Sequence, residues 1–452
     1  MNTPATPATE GLKPAIGRGS AVLLVMGGIV GVGVFVNPAS VARTLHSPVL
    51  ALAAWAVGGG IALLGAFVYA ELAARIPKTG GEYVYLRDTY GPLTGFLYGW
   101  TTLLVVQAGG MAAVSIAFAK YLQIATGTHV PDQIVVVAVL AGLAAINCLG
   151  VGAGNGIQTG LGLLKVAAIG AVIAGGLLLV PQGFALTHPV LDRPMGVGLV
   201  KGFGAALIPV IFAFGGWQTA AYVAGEIKDA RKNLARALLL GVLAVVALYL
   251  LINIACLRAL GVEALGRTLT PTADVLQMAV GPVGARLAAA AIALSALGFV
   301  SQSMLTSPRV IFAMARDGLF FRKVGDVAEG SRAPAVAIIV QAVWTGVLAL
   351  TGSYDRLLGY VIAMNVLFFA LSASCLFILR RRERLAATPS DGGYRAPWHP
   401  WSTGLFILAC AVIVGASFWS YPVDSLIGYG IMLLGIPPYL LWRRRNRAEA
   451  RA

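Results

Sequence analysis

Residues Gly27 to Phe35 read GGIVGVGVF, four glycines in nine otherwise apolar residues, at a point where the chain is ready to cross a membrane. Gly27 and Gly31 have the small-xxx-small spacing that lets two membrane helices approach closely. The same glycines also suit a helix that is interrupted so that its backbone can face a ligand. Taken alone, the stretch leaves both readings open, and the rest of the chain must decide between them.

Of 452 residues, 58% are hydrophobic and 11% charged, and the mean hydropathy is +0.83. Soluble domains carry roughly twice that charged fraction. Apolar runs of spanning length, roughly 20 residues each, recur from Ala21 to Leu440 with mostly short polar turns between them. The composition therefore indicates an integral membrane protein with little chain left for a soluble domain. The polar start MNTPATPATEGLKPAIGRGS lacks the charged, apolar and cleavage regions of a signal peptide, so the first span is expected to act as its own insertion signal.

The net charge of +15 is carried by clusters at 75–87, 228–236, 309–332, 380–384 and 443–447. A nucleic-acid footprint would need one folded soluble face. These clusters instead fall in alternate connections, whereas YLQIATGTHVPD (121–132) is sparsely basic, which is the positive-inside pattern. The charge is read as topological, and no nucleic-acid partner is expected. Cys148, Cys256, Cys375 and Cys410 lie in or at the ends of apolar runs without metal-ligand spacing, so membrane-embedded thiols are expected rather than disulfides.

Twelve spans are expected, at 19–44, 48–73, 91–120, 131–149, 157–180, 201–224, 234–257, 281–312, 334–350, 355–379, 402–419 and 424–442. An even number places both termini on one side, the cytoplasmic side, together with every basic cluster. A second departure from plain apolar helix, FAFGGWQ at 212–218, lies in the sixth span, five spans after the first. Glycine-interrupted segments at corresponding places in two halves point to an inverted-repeat transporter, because five spans reverse the second copy. This companion favours the broken helix for Gly27 to Phe35. The expected organisation is a tail (1–18), a first repeat (19–180), a second repeat (201–379), two appended spans (402–442) and a basic tail (443–452).

Four long segments carry a family resemblance: GIVGVGVFVNPA (28–39), YAELAARIPKTGGEYVYLRDTYGP (69–92), FAFGGWQTAAYVAGEIKDARKNLARAL (212–238) and SPRVIFAMARDGLF (307–320). In order and spacing they resemble the amino acid–polyamine–organocation superfamily, specifically a bacterial member of its L-type amino acid transporter branch. The resemblance implies an all-α polytopic membrane fold of twelve helices with five-plus-five inverted repeats and broken helices 1 and 6. A free amino acid would sit between those breaks. Half-helix ends suit a zwitterion on physical grounds too, since their free N–H groups take a carboxylate and their free carbonyls an ammonium. The resemblance places the carboxylate at the amides around Val32 and Gly33, with Gly31 and Gly33 allowing close approach and unwinding, and the ammonium at the carbonyls of Ile29, Phe212 and Gly215. Val32 stands where the family usually has serine, so one hydroxyl is lost while the backbone N–H remains. Phe214 is expected as an aromatic wall or gate beside the substrate. A missing acidic residue near Gln218 makes neutral substrates the default.

Lys165 lies deep in the fifth span, and an ionisable residue there is a functional candidate. The resemblance implies a lysine bridging helices 1 and 8 where sodium-coupled relatives of the fold hold their ion, hence sodium-independent transport. Gln302, Ser303 and Ser307 in the eighth span are candidates to meet Lys165 or line the path, or else to serve as interhelical contacts. Glu71, Lys78, Glu82 and Tyr83 in or beside the loop after span 2, with Glu226, Lys228 and Arg231 after span 6, are candidates for charge pairs closing the inner route.

An enzyme would need a converging nucleophile and base or a metal cluster, whereas His46, His129, His188 and His399 all fall near predicted ends or loops. Neither a phosphate loop nor a repeated filter sequence is present, so an ATP-driven pump and a channel lack sequence support. The expectation is a cofactor-free carrier of neutral L-amino acids in a bacterial inner membrane, with exchange favoured, proton-coupled symport second and a channel as the alternative of another class. The loop at 121–132 has no cysteine, so no covalently linked ancillary subunit is expected.

Overall fold

The computed structural model describes residues 12–180, 184–191, 194–351, 354–386, 393–420 and 422–449. The expected tails at 1–18 and 443–452 therefore lie partly outside the described residues.

Helices begin where the sequence supplies their starts. Helix α1 (Arg18–Ile29) is followed by α2 (Gly33–Leu45) after a break that bends the pair by 43°. Helix α3 (Pro48–Arg75) opens with Pro48 in its first turn and the Ser47 hydroxyl accepting from the Leu50 N–H at 3.2 Å. Helix α4 (Glu82–Tyr90) is a short connection, and α5 (Pro92–Thr101) runs through a π-helical turn at Thr102–Val106 into α6 (Gln107–Thr126). Helices α7 (Asp132–Cys148), α8 (Val151–Ala174) and α9 (Val197–Phe214) follow.

Beyond α9 the chain breaks at Gly215–Gly216 and continues as a 3₁₀ segment, Trp217–Glu226. Helix α10 (Ala230–Arg267) is interrupted at Gly261, which has φ +73°. Then come α11 (Pro271–Val280), α12 (Val283–Thr306), α13 (Pro308–Arg316), α14 (Ala335–Thr351), α15 (Tyr354–Leu385), α16 (Trp401–Ser420), α17 (Pro422–Leu433) and α18 (Ile436–Glu449).

The result is an all-α polytopic membrane protein. Among the described residues, nine helices are long and apolar enough to cross a bilayer, or ten with the bent α1–α2 pair taken as one span. The shorter apolar helices Asp132–Cys148 and Ala335–Thr351 coincide with the expected fourth and ninth spans. The sixth and eighth spans are interrupted. The sixth, Val197–Glu226, is broken at Gly215–Gly216 inside the stretch 212–218, because the glycine pair ends the α-helical ladder. The eighth is divided just past Thr306, because Pro308 lacks the N–H that would continue it.

Helices α1, α2, α9 and α12 occupy the centre, with α10 lying along both α1 and α3, and α12 along both α6 and α8. Exposed Leu163, Leu164, Ile339, Val343 and Leu408 show that α8, α14 and α16 turn apolar side chains outward, as lipid-facing helices do. All four cysteines are free thiols.

Candidate functional site

The two breaks meet at the centre of the bundle. Val30 leaves the helix with φ −74° and ψ 97°, ending α1, while Gly216 takes φ +103°, which an L-residue rarely adopts. A Cβ on Gly216 would stand 2.0 Å from the Gly28 carbonyl oxygen, and one on Gly28 would stand 2.6 Å from the Gly216 oxygen. The backbones touch because neither residue carries a side chain. Close approach of main chains falls on Gly28 and Gly216 rather than on the Gly27/Gly31 pair, where a Cβ on Gly31 would meet nothing nearer than Phe299 at 3.6 Å.

Polar side chains bind the loosened backbone. Thr219 Oγ1 donates to the Gly216 carbonyl at 2.6 Å, Gln218 Oε1 accepts from the Gly216 N–H at 3.1 Å, and Gln302 Nε2 donates to Thr219 Oγ1 at 2.6 Å. From α10, the Tyr249 hydroxyl lies 3.2 Å from the Ile29 carbonyl and 3.1 Å from that of Ala213, so one phenol reaches both broken helices. Asn37 Nδ2 donates to the Pro209 carbonyl at 2.7 Å, tying α2 to α9.

Lys165 is fully buried. Its Nζ donates to the carbonyls of Gly27 at 3.0 Å and Val30 at 2.6 Å, the last turn of α1, where a cation complements the negative helix end. Ser295 Oγ of α12 donates to the neighbouring Gly31 carbonyl at 3.0 Å. Gly298 of α12 leaves room for the lysine stem, since a Cβ there would fall 2.6 Å from Lys165 Cε. The eighth-span residues that meet the lysine's surroundings are thus Ser295 and Gly298. Gln302 and Ser303 line the central cavity instead, and Ser307 donates to the Ser303 carbonyl at 2.6 Å.

A cavity of ≈ 90 Å³ lies against both breaks. Ile29, Gly31, Val32, Gly33, Phe212 and Gly215 all line it, as expected from the sequence. Phe214 does not: its ring packs at 4.9 Å from Tyr249 and 5.9 Å from Trp55, on the opposite face of α9. Phe212, two residues earlier, lines the cavity instead, with Phe299 and Phe369. Gln107, Gly110 and Asn365 also line the cavity and went unnoticed in the sequence. An uncharged amide inside an apolar span was the available signal, and for Gln107 the π-helical turn just before it marks the place. Among the described residues no charged side chain lines the cavity.

The connections after α3 and α9 form a second polar region. Glu82, fully buried in the first turn of α4, accepts from the hydroxyls of Tyr69 at 2.5 Å, Tyr98 at 2.7 Å, Ser372 at 3.3 Å and Tyr222 at 3.4 Å. Burial pushes its carboxyl up to about 7, against the opposing pull of those hydroxyl donors. Glu226 forms a fully buried fork with Arg309 at 2.7 and 3.1 Å. The expected pairing among neighbouring loop charges is corrected here. The Gly80–Gly81 turn aims Glu82 inward at hydroxyls, and the cation for Glu226 comes from α13. Glu71 is gripped by Arg75 and Arg380 at 2.7 and 2.6 Å, and Tyr83 donates to Asp317 at 2.5 Å. Lys78 reaches Asp88 at 3.6 Å with half its side chain exposed. The backbone of Lys228 donates to the Ile16 carbonyl at 2.9 Å, part of a short parallel bridge between Ile16 and Ile227.

A broken-helix pair around an uncharged cavity inside a polytopic bundle defines a membrane carrier for a small polar solute. The sequence profile described as "Amino acid permease" matches residues 16–441. The chain is 32% identical to the serine/threonine exchanger SteT of Bacillus subtilis (strain 168), covering 97% of this chain and 98% of that protein. It is 31% identical to the human large neutral amino acids transporter small subunit 2, over 96% of this chain and 82% of the relative. Identity to the human Asc-type amino acid transporter 1 is 30%, over 97% and 85% respectively. The chain belongs to the amino acid permease family, in the L-type branch of the amino acid–polyamine–organocation superfamily. It is an amino acid transporter, and by that membership a carrier rather than an enzyme.

Proposed function

We propose that this chain exchanges small to medium neutral L-amino acids across a bacterial inner membrane by sodium-independent alternating access. The observation that carries the reading is the uncharged cavity set against two broken helices. In this reading twelve spans form two inverted five-helix repeats, at 19–180 and 201–379, with 402–442 appended and both termini cytoplasmic. The substrate carboxylate meets the first-turn amides of α2 around Val32 and Gly33. Its ammonium meets the carbonyls of Ile29, Phe212 and Gly215, and both partners are main-chain groups that every amino acid can use.

Size supports small substrates. The cavity is compact, ≈ 90 Å³, which favours a small neutral side chain over a bulky one. Lys165 acts in place of a sodium ion: its ammonium supplies positive charge to the carbonyls at the end of α1. Glu82 and Glu226 act as closures of the inner route, each tying the 3₁₀ segment to its neighbours.

Counterflow into proteoliposomes preloaded with each of the twenty amino acids, with and without sodium and a pH gradient, tests the reading. Saturable, sodium-independent uptake accelerated by internal neutral substrate is expected; absence of counterflow with all twenty would refute it. Proton-coupled symport is the second reading, favoured by one observation: among the described residues Lys165 is held by carbonyl oxygens, without a carboxylate partner. Uptake driven into empty liposomes by an inward proton gradient would select it.

A further inference from the structure

A second concave site lies far from the central cavity, where the end of α13, the turn Arg322–Gly325, the start of α14 and the outer part of α18 converge. It is a groove of ≈ 680 Å³. Four cations, Arg316, Arg322, Lys323 and Arg445, line it, all exposed, and among the described residues no carboxylate shares the lining. They come from two basic stretches more than a hundred residues apart in sequence, 316–323 and the α18 end at Arg445, so the cluster is completed by folding. Topogenic positive charges need only lie on the correct side of a membrane. They need not converge on one concave surface.

The floor of the groove is aromatic. Phe320 stacks on Trp442 at 5.6 Å and Phe321 meets the same indole edge-on at 5.5 Å. Phe321 is nevertheless 63% exposed, a costly placement in water but an ordinary one at the level of lipid head groups, where aromatic rings collect. From the groove, which Val336 lines, α14 runs outward exposing Val336, Ile339, Val343, Val347 and Leu350, one continuous stripe at helical spacing. An apolar stripe that ends in a cationic, aromatic-floored groove has the two-part character of a phospholipid.

We propose that this groove binds the phosphate head group of an anionic phospholipid, with an acyl chain lying along the α14 stripe. Guanidinium groups match phosphate oxygens through paired N–H donors. A zwitterionic head group brings its own ammonium, which the four cations repel, so the groove discriminates by head-group charge.

Native mass spectrometry of the purified full-length protein in detergent tests this without any measurement of transport. Phosphatidylglycerol and phosphatidylcholine of identical chains are titrated separately. One phosphatidylglycerol is expected to be retained at least tenfold more tightly than phosphatidylcholine. Arg322→Gln/Lys323→Gln/Arg445→Gln should lower phosphatidylglycerol retention by tenfold or more, with phosphatidylcholine retention unchanged. The single reversal Arg322→Glu, on an exposed side chain and so compatible with folding, should lower it by about tenfold or more. Millimolar inorganic phosphate should not displace the lipid. Equal retention of both lipids, unchanged retention in the single reversal, or displacement by inorganic phosphate would each overturn the proposal, the last by showing a site for soluble anions.

Discussion

Gly298→Ala places one methyl group against a fully buried cation, Lys165. The new Cβ would stand 2.6 Å from Lys165 Cε and 3.1 Å from Nζ. Carbon atoms settle at about 3.5–4.0 Å, so the lysine stem must withdraw by about 1 Å. The ammonium cannot then keep both of its bonds, at 2.6 Å to Val30 and 3.0 Å to Gly27. A hydrogen bond to a charged group contributes about 1.5–3 kcal/mol, and losing one leaves a buried carbonyl unpaired at the break in α1. If that bond holds the break in its transporting geometry, the exchange rate falls by roughly tenfold to a hundredfold. Counterflow in proteoliposomes measures the rate, and thermal unfolding in detergent runs in parallel to separate misfolding from slow exchange. Lys165→Met alone should nearly abolish counterflow, and the double variant Lys165→Met/Gly298→Ala should be no slower than Lys165→Met, because the methyl group acts only through the ammonium. Wild-type exchange by Gly298→Ala, or a further tenfold loss in the double variant, would refute the reasoning.

Other consequences are as specific. Val32→Ser should retain counterflow, with at most a severalfold change in apparent affinity, because the proposed carboxylate donors are backbone groups; complete loss of substrate binding, read by scintillation proximity, would contradict that placement. Glu226→Gln leaves Arg309 as an uncompensated buried charge and should lower stability by about 3–5 kcal/mol. Its thermal midpoint should recover in part in Glu226→Gln/Arg309→Met, and a double variant less stable than the single would argue against the pair. Glu82 makes stability pH-dependent: burial raises its carboxyl to about 7 from 4.5, so its contribution is complete below pH 4.5 and is lost as pH rises through 7, by roughly 3 kcal/mol. The thermal midpoint should therefore fall between pH 5 and 8 in the wild type more steeply than in Glu82→Gln, and identical slopes would show that Glu82 does not set this dependence.

The broken helices were legible in the sequence because glycine leaves a local mark: Gly31, Gly33, Gly215 and Gly216 interrupt runs that are otherwise uniformly apolar. Lys165 was legible for the opposite reason, as a single charge where none is expected. Helix direction was harder to read. Phe212 and Phe214 are two residues apart, so on α9 they point about 200° from one another, and the sequence alone does not say which of them faces the substrate. The structure turns Phe212 inward and sets Phe214 against Trp55. Gln107 and Asn365 were overlooked because a lone amide in a long apolar run scarcely alters its pattern. The partners of Glu82 and Glu226 were illegible altogether, since Tyr98, Ser372 and Arg309 reach them from distant segments that only the tertiary fold unites.

In the placement of the substrate proposed above, the contact between Gly28 and Gly216 divides the labour of recognition. Where two main chains meet bare, no side chain is available to be altered, and the head of the ligand is left to groups that every sequence possesses. Whatever distinguishes one amino acid from another must be sensed elsewhere, by Phe212, Gln107, Asn365 and their neighbours. Those side chains lie outside the Gly28–Gly216 contact itself. A scaffold divided in this way can drift from one cargo to another through single replacements, keeping throughout its ability to hold any amino acid at all.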